Sequence, residues 1–383
     1  MNDYFSSLQK KYHISDGLME QIVQAYEKVQ PYWQSVGNQT WTAQIKILNA
    51  FQKHQASDFH LNGSTGYGYG DTGRDILELI WADIFKAEKA LVRSNIASGT
   101  HALALGLFGN LLPGDTFVSI SGAPYDTLQT IIGHDREAGT LSELGVQHKI
   151  VELVEDDFDF DGIAKTVTPG VKMVCIQRSR GYSWRKSLSI SKIAKAIDFV
   201  KQIDHNIICF VDNCYGEFVE LQEPLEVGAD LIAGSLIKNP GGGLAPRGGY
   251  VAGRADLVDR AAARLTAPGI AEDVGSALDF NRLAFQGLFM APLIVEQAMK
   301  GAIFAAQLLS QLGYKVSPEA DAPRTDIIQA IQLDEPDAVR RFCKGIQMAS
   351  PLDAHVTPYD AELPGYDDPV IMAGGTFVQG SSI

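Results

Sequence analysis

With 383 residues, 45% hydrophobic and 20% charged, the chain is long enough for two domains and has the composition of an ordinary globular protein. A formal net charge of -14 argues against nucleic acid as a main partner, since phosphate backbones need a basic face, so an anionic ligand would have to be held by local groups. The four cysteines have no CxxC spacing and the eight histidines form no HExxH, which argues against a disulfide framework and against a bound metal.

The N-terminal MNDYFSSLQKKYHIS lacks a signal-peptide core, and no unbroken apolar run reaches about 18 residues, so a cytoplasmic protein without a membrane partner is expected. Residues 1–56 place Leu18, Ile22, Val23, Tyr26, Val29, Ile45, Leu48 and Phe51 at roughly helical spacing, predicting a helical arm packed on the main domain or on a second subunit. Residues 61–75, LNGSTGYGYGDTGRD, hold a formal GxGxxG at Gly68, Gly70 and Gly73. No apolar strand precedes it, so it is not a dinucleotide fingerprint. What remains is a mobile glycine-rich loop with Tyr67, Tyr69 and Arg74, able to bind an anion or only to turn, followed by a helix from Asp75 to Lys89.

Ser98-Gly99-Thr100 stand before a helical stretch, His101 to Asn110. Free N–H groups there make either a phosphate site or an ordinary N-cap. A strand over 116–120 leads to Tyr125 and a short helix, where the ring could cover a flat ligand or simply pack. Strands follow at 149–154 and 172–177, the second opening into the donor-rich RSRGYSWRKS with Arg178, Arg180, Tyr182, Ser183 and Arg185. A helix over 190–202 then returns the chain.

Two short apolar runs, Ile207 to Val211 and Leu231 to Ala233, read as buried strands, with Asp212 at one exit and Lys238 just past the other. Ligands of open α/β sheets collect at the carboxyl ends of the strands, so the acid and the lysine could face one ligand. A Schiff-base lysine with a carboxylate opposite is what pyridoxal phosphate requires. A P-loop is excluded, because in KNPGGG the lysine precedes the glycines.

Strand and helix alternate over 92–252, predicting a largely parallel sheet covered on both faces, with a further strand at 248–253. A helical region over 276–312 with a break at Pro292 leads to a smaller C-terminal domain. There TDIIQAIQL and PVIMAGGTFV are expected strands flanking the helix Pro336 to Ala349, and the sequence stops directly afterwards at QGSSI. The expected division is an arm at 1–56, a large domain at 57–290 and a small domain at 291–383.

GYGYGDTGRD, SGTHALALGLFGNLLPGD, SGAPYDTLQTIIG, RSRGYSWRKSL, VDNCYGEFVE and GSLIKNPGGGLAPRGGYVAG together resemble fold-type I pyridoxal-phosphate enzymes. More closely, they resemble the branch named variously methionine gamma-lyase-related, cystathionine beta-lyase-like or aluminium resistance proteins. The resemblance implies a mostly parallel seven-stranded sheet with helices on both faces, a small α+β C-terminal domain, and pyridoxal phosphate bound as a Schiff base on Lys238. It implies that Asp212 holds the pyridine nitrogen, Tyr125 stacks on the ring and Tyr215 reaches its phenolic oxygen. Ser98, Gly99, Thr100 and Ser235 would hold the phosphate, and Tyr69 and Arg74 would enter a neighbouring subunit's site, implying a homodimer or homotetramer. Tyr67, Arg180 and Arg324 are the candidates for contact with an amino-acid substrate, Arg324 being the best placed for its carboxylate.

The implied reaction is β- or γ-elimination of a thiol from a sulfur-containing amino acid. Aldolase, racemase or transaminase chemistry would use the same lysine and aspartate, and a non-catalytic oligomer of this fold is the reading from another class.

Overall fold

The computed structural model describes residues 3–133, 138–362 and 368–381. Helices α1 (Asp3–Tyr12) and α2 (Asp16–Lys53) form the arm, and α3 (Thr72–Phe85) enters the main body before strand β1 (Lys89–Arg93). Then come α4 (Gly99–Asn110), β2 (Thr116–Ser119), α5 (Asp126–Ile132), β3 (Gln147–Ile150), a small β4 (Leu153–Val154) and β5 (Asp157–Phe158) hairpin, and α6 (Phe160–Thr166). The centre is β6 (Met173–Gln177), α7 (Ile190–Ile203), β7 (Ile208–Asp212), β8 (Leu231–Ser235) and β9 (Gly249–Gly253). The chain closes with α8 (Ala255–Leu265), α9 (Phe280–Gln311), β10 (Lys315–Ser317), β11 (Ala330–Gln332) and α10 (Pro336–Ala349).

The expected α/β class is borne out. A seven-stranded sheet runs β1-β9-β8-β7-β6-β2-β3, parallel from β8 through β3, with β9 antiparallel to both its neighbours. All five residues of β7 are buried, which is why it reads as one apolar run instead of an alternating pattern. Cys209 and Val211 face a core with Trp81 and Phe85 of α3 and Ile193 and Ile197 of α7; Ile208 and Phe210 face a second core with Leu103 of α4, Leu128 of α5 and Val258 of α8. Helix starts follow local chemistry: Ser15 Oγ accepts from Leu18 N at 3.4 Å, Asp71 Oδ1 from Arg74 N at 3.0 Å and Ser189 Oγ from Lys192 N at 3.3 Å.

Several expected elements are corrected. The helix drawn to Lys89 ends at Phe85, because Lys86 turns left-handed (φ 58°) and Lys89–Arg93 are drawn off as a strand paired with β9. The run at 149–154 divides, since the chain leaves the sheet after Ile150 and pairs locally as β4. The arm is helical as expected, but Leu18, Tyr26, Ile45 and Leu48 are exposed while Met19, Ala25, Val29, Val36, Ile47 and Ala50 are buried. Its inward face is chosen by docking on α9, where Trp33 Nε1 donates to Lys300 O at 3.0 Å and Gln44 Nε2 to Phe289 O at 3.0 Å.

The break at Pro292 is absent: α9 runs unbroken through a buried Pro292, and the expected junction at 290/291 lies inside it. By length and composition α9 could also cross a membrane; its buried residues Leu288, Ala291, Val295 and Met299 instead join the main core. Among the described residues, TDIIQAIQL pairs only over Ala330–Gln332, with β10, and PVIMAGGTFV contributes only the bridge Ala361–Val370. The final Ser382 and Ile383 lie outside the described residues.

Candidate active site

Asp212 ends β7 and pairs in register with Ala233 of the parallel β8, so both strands emerge at one edge of the sheet. Asp212 is only 9% exposed, and burial pushes its carboxyl up to about 6, opposed by the Cys214 amide at 3.1 Å and the Cys214 thiol. Among the described residues no ion pair involves it, so a buried carboxylate stands without a cation. Lys238 lies three residues past β8. Burial holds its amine below the ordinary lysine value, partly opposed by Cys214 and Glu217. Its Nζ donates to Gly380 O at 2.6 Å and lies 5.1 Å from the centre of the Tyr215 ring. Beyond it, Gly241 allows a backbone approach no other residue would: a Cβ there would stand 1.8 Å from Leu236 O.

The start of α4 faces the same edge. Ser98 Oγ is used as the N-cap, accepting from His101 N at 3.1 Å, which realises the cap reading and leaves the first-turn N–H groups pointing forward. A Cβ on Gly99 would meet Ser235 Cβ at 3.1 Å and Cys214 Sγ at 3.4 Å, so the helix start, Ser235 and the Asp212 turn form one cradle. Thr100 Oγ1 lies 3.1 Å from the Tyr125 hydroxyl and 3.2 Å from Thr127 Oγ1, while Tyr125 N donates to Gln177 Oε1 at 3.1 Å. Burial first, then the Asp212 charge, push the Tyr125 phenol well above its ordinary range and keep it neutral. Tyr215 is half-buried at φ 71°, a strained conformation of the kind that gathers at functional sites.

The glycine loop is pinned at its base: Asp71 accepts from Ser64 N at 3.1 Å, Ser64 Oγ at 2.5 Å and Ala277 N at 3.0 Å as well as capping α3. These bonds outweigh burial and hold its carboxyl down at about 2. Tyr67 and Tyr69 project into solvent, whereas Arg74 is 5% exposed, its guanidinium binding Gly68 O at 2.9 Å and Gly275 O at 3.0 Å of its own chain. Arg180 is likewise engaged, with Ser317 O at 2.8 Å, Ser317 Oγ at 2.9 Å and Ser183 O at 3.0 Å. Arg324 differs: Nε, Nη1 and Nη2 are all buried with no hydrogen-bond partner among the described residues, and burial lowers its pKa to about 10 against the pull of Asp326. The segment carrying it is joined to the site through Ile327 N, which donates to Tyr215 O at 3.3 Å.

Sequence reasoning passed over Cys214, Thr127 and Gln177. Gln177 carried a usable signal, since it ends β6 in register with Asp212 as one more polar residue at a strand exit.

Residues 18–383 match the family model described as methionine gamma-lyase. The uncharacterized protein YnbB of Bacillus subtilis (strain 168) is 50% identical over 341 residues, covering 88% of this chain and 81% of that one. A crystal structure described as a carbon-sulfur lyase involved in aluminum resistance, from Clostridium novyi NT, superposes with a TM-score of 0.95 at 45% identity, covering 100% of this chain and 91% of that one. The pyridoxal-5'-phosphate-dependent protein YhfS of Escherichia coli, at 17% identity and a TM-score of 0.60 over 84% of each chain, shares the fold alone. The chain therefore belongs to the methionine gamma-lyase family and has the fold-type I architecture of pyridoxal-phosphate enzymes.

Proposed function

We propose that this protein is a pyridoxal-phosphate-dependent carbon–sulfur lyase that, with one water, converts a sulfur-containing amino acid to a thiol, a 2-oxo acid and ammonium. Pyridoxal phosphate is the family's cofactor, and the residues present fit it. The observation that carries the reading is the buried Asp212, without a cation of its own, at the same sheet edge as a lysine of lowered basicity. Lys238 would hold the aldehyde, Asp212 the ring nitrogen, and Ser98, Gly99, Thr100 and Ser235 the phosphate. Tyr125 would lie on the ring and Tyr215 beside it. When bound, the cofactor supplies an electron sink for the substrate's α-carbon.

Lys238, as a partly desolvated amine, takes up the α-proton and returns it later. Tyr125, neutral and fixed by Thr100 and Gln177, is a proton donor placed to assist the departing sulfur. Arg324 receives the substrate carboxylate. We also propose a homodimer or homotetramer in which the projecting Tyr67 and Tyr69 reach a neighbouring site, Arg74 acting by holding their loop. Purified protein loaded with pyridoxal phosphate should release thiol and 2-oxo acid from cystathionine or methionine without an amino acceptor, and light scattering should find at least a dimer. Transamination, racemisation or aldol cleavage with no thiol release would overturn the lyase assignment, and a monomer would overturn the shared site.

A pH dependence follows from Asp212. Its folded value of about 6 exceeds the ordinary 3.8, so the folded state holds that proton more tightly; this contribution is full below about 3.8 and lost as pH rises through about 6. The cofactor-free protein should lose on the order of 2–3 kcal/mol between pH 4 and 6 through this group. Asp212→Asn should remove that part of the slope in thermal melts. The further decline toward pH 8 would remain, because burial pushes Glu217 up to about 8. Added pyridoxal phosphate should flatten the Asp212 part, since a pyridinium favours the carboxylate. An identical melting profile for Asp212→Asn would contradict the assignment.

A further inference from the structure

Asn239 follows the candidate cofactor lysine and is fully buried at 0% exposure. Its Nδ2 carries two hydrogens, and both are spent on the turn after Asp212: Tyr215 O lies at 3.0 Å and Glu217 O at 2.9 Å. Among the described residues Oδ1 has no partner, so the carboxamide is oriented by its donors. The Tyr215 carbonyl is shared, since it also accepts Ile327 N from the segment that carries Arg324. Three stretches distant in sequence, those of Asp212, Lys238 and Arg324, thus meet at one oxygen. The turn they meet on is unrelaxed, with Tyr215 at φ 71° and Phe218 at φ 64°, and such backbone persists only where its surroundings hold it.

We propose that Asn239 is a positioning residue, clasping the 215–217 turn so that Lys238 is held over the Tyr215 ring. The proposal deepens the lyase reading and rests on it for the roles of Lys238 and Asp212. Asparagine suits the place chemically. An aspartate would set carboxylate oxygens against two carbonyls, a leucine would supply neither hydrogen bond, and a serine could serve only one. Releasing the turn lets the Lys238 side chain relax toward water and out of the burial that lowers its basicity, an effect larger than the opposing pull of Cys214 and Glu217.

Asn110 provides a matched control. It is also 0% exposed, its Nδ2 also bonds two carbonyls, Gly106 O at 2.9 Å and Leu257 O at 3.2 Å, and its Oδ1 is also unpaired, yet it lies between α4 and α8. The experiment compares wild type, Asn239→Ala, Asn239→Ser and Asn110→Ala as full-length protein. The first readout, on cofactor-free protein, is the pH midpoint for acylation of Lys238 by acetic anhydride, followed by peptide mass spectrometry. The second is the dissociation constant of added pyridoxal phosphate. Asn239→Ala should raise the midpoint and weaken cofactor binding about tenfold. Asn239→Ser should fall between it and wild type, and serves alone should the alanine variant fail to fold. Asn110→Ala should lose thermal stability but leave both readouts unchanged. Equal effects of the Asn110 and Asn239 variants, or a wild-type midpoint in both Asn239 variants, would overturn the clasp. Absence of cofactor binding in wild type would instead overturn the lyase reading, while the acylation midpoint still decides the role of Asn239.

Discussion

Lys238→Ala protein should retain pyridoxal phosphate only by non-covalent contacts and should turn over its substrate at least about 10³-fold more slowly, the scale of losing a general base together with a covalent anchor. Wild type incubated with the cofactor should show a visible band that borohydride abolishes, and peptide mapping should find the pyridoxyl group on Lys238. The variant should show neither the shifted band nor the adduct, although the α4 start and Ser235 remain to hold phosphate. The reason lies in the surroundings of the amine. Burial lowers its basicity, so more of it is neutral and nucleophilic at pH 7 than an exposed lysine would be. An adduct on another lysine, or turnover within tenfold of wild type, would remove Lys238 from the mechanism.

Arg324→Met should lose catalytic efficiency and gain stability. A buried guanidinium with all of Nε, Nη1 and Nη2 unpaired is costly to fold around, and that cost is recovered only when an anion arrives. Deleting the charged partner of a substrate carboxylate should lower kcat/KM about 10²–10³-fold, mostly through KM, given roughly 2–5 kcal/mol for removing one side of a buried charged pair. Melting of the cofactor-free variant should rise by a few degrees, roughly what about 1 kcal/mol yields in a chain of this size. Arg180→Ala makes the contrasting case. Arg180 already bonds Ser317 and Ser183 and lies 5.5 Å from the Trp184 ring centre, so its loss should lower stability without a selective rise in KM. A lower melting temperature and unchanged KM for Arg324→Met would transfer the carboxylate role to another residue.

Much of the scaffold was legible from local pattern. The helices over Ile190–Ile203 and Pro336–Ala349 and the strands ending at Gln177 and Asp212 lie where apolar spacing and capping residues put them. Elements whose partners lie elsewhere were not. Lys89–Arg93 is a strand because β9 offers it an edge, and α2 buries Ile47 while leaving Ile45 and Leu48 outside because α9 decides which face is covered. Pro292 reads as a break, yet packing on both sides carries the helix through it.

The functional residues divide in the same way. An acid and a lysine at the exits of two buried strands beside a helix start are readable from the chain alone, because strand length, apolar run and N-cap are properties of a few consecutive residues. Which arginine lacks partners among the described residues was settled by long-range folding. Arg74 bonds Gly275 and Arg180, its Nη2 apart, bonds Ser317, partners 201 and 137 positions away, while among the described residues the buried guanidinium of Arg324 has none. A guanidinium's availability depends on the carbonyls that folding brings within 3 Å of it, and no local pattern encodes that.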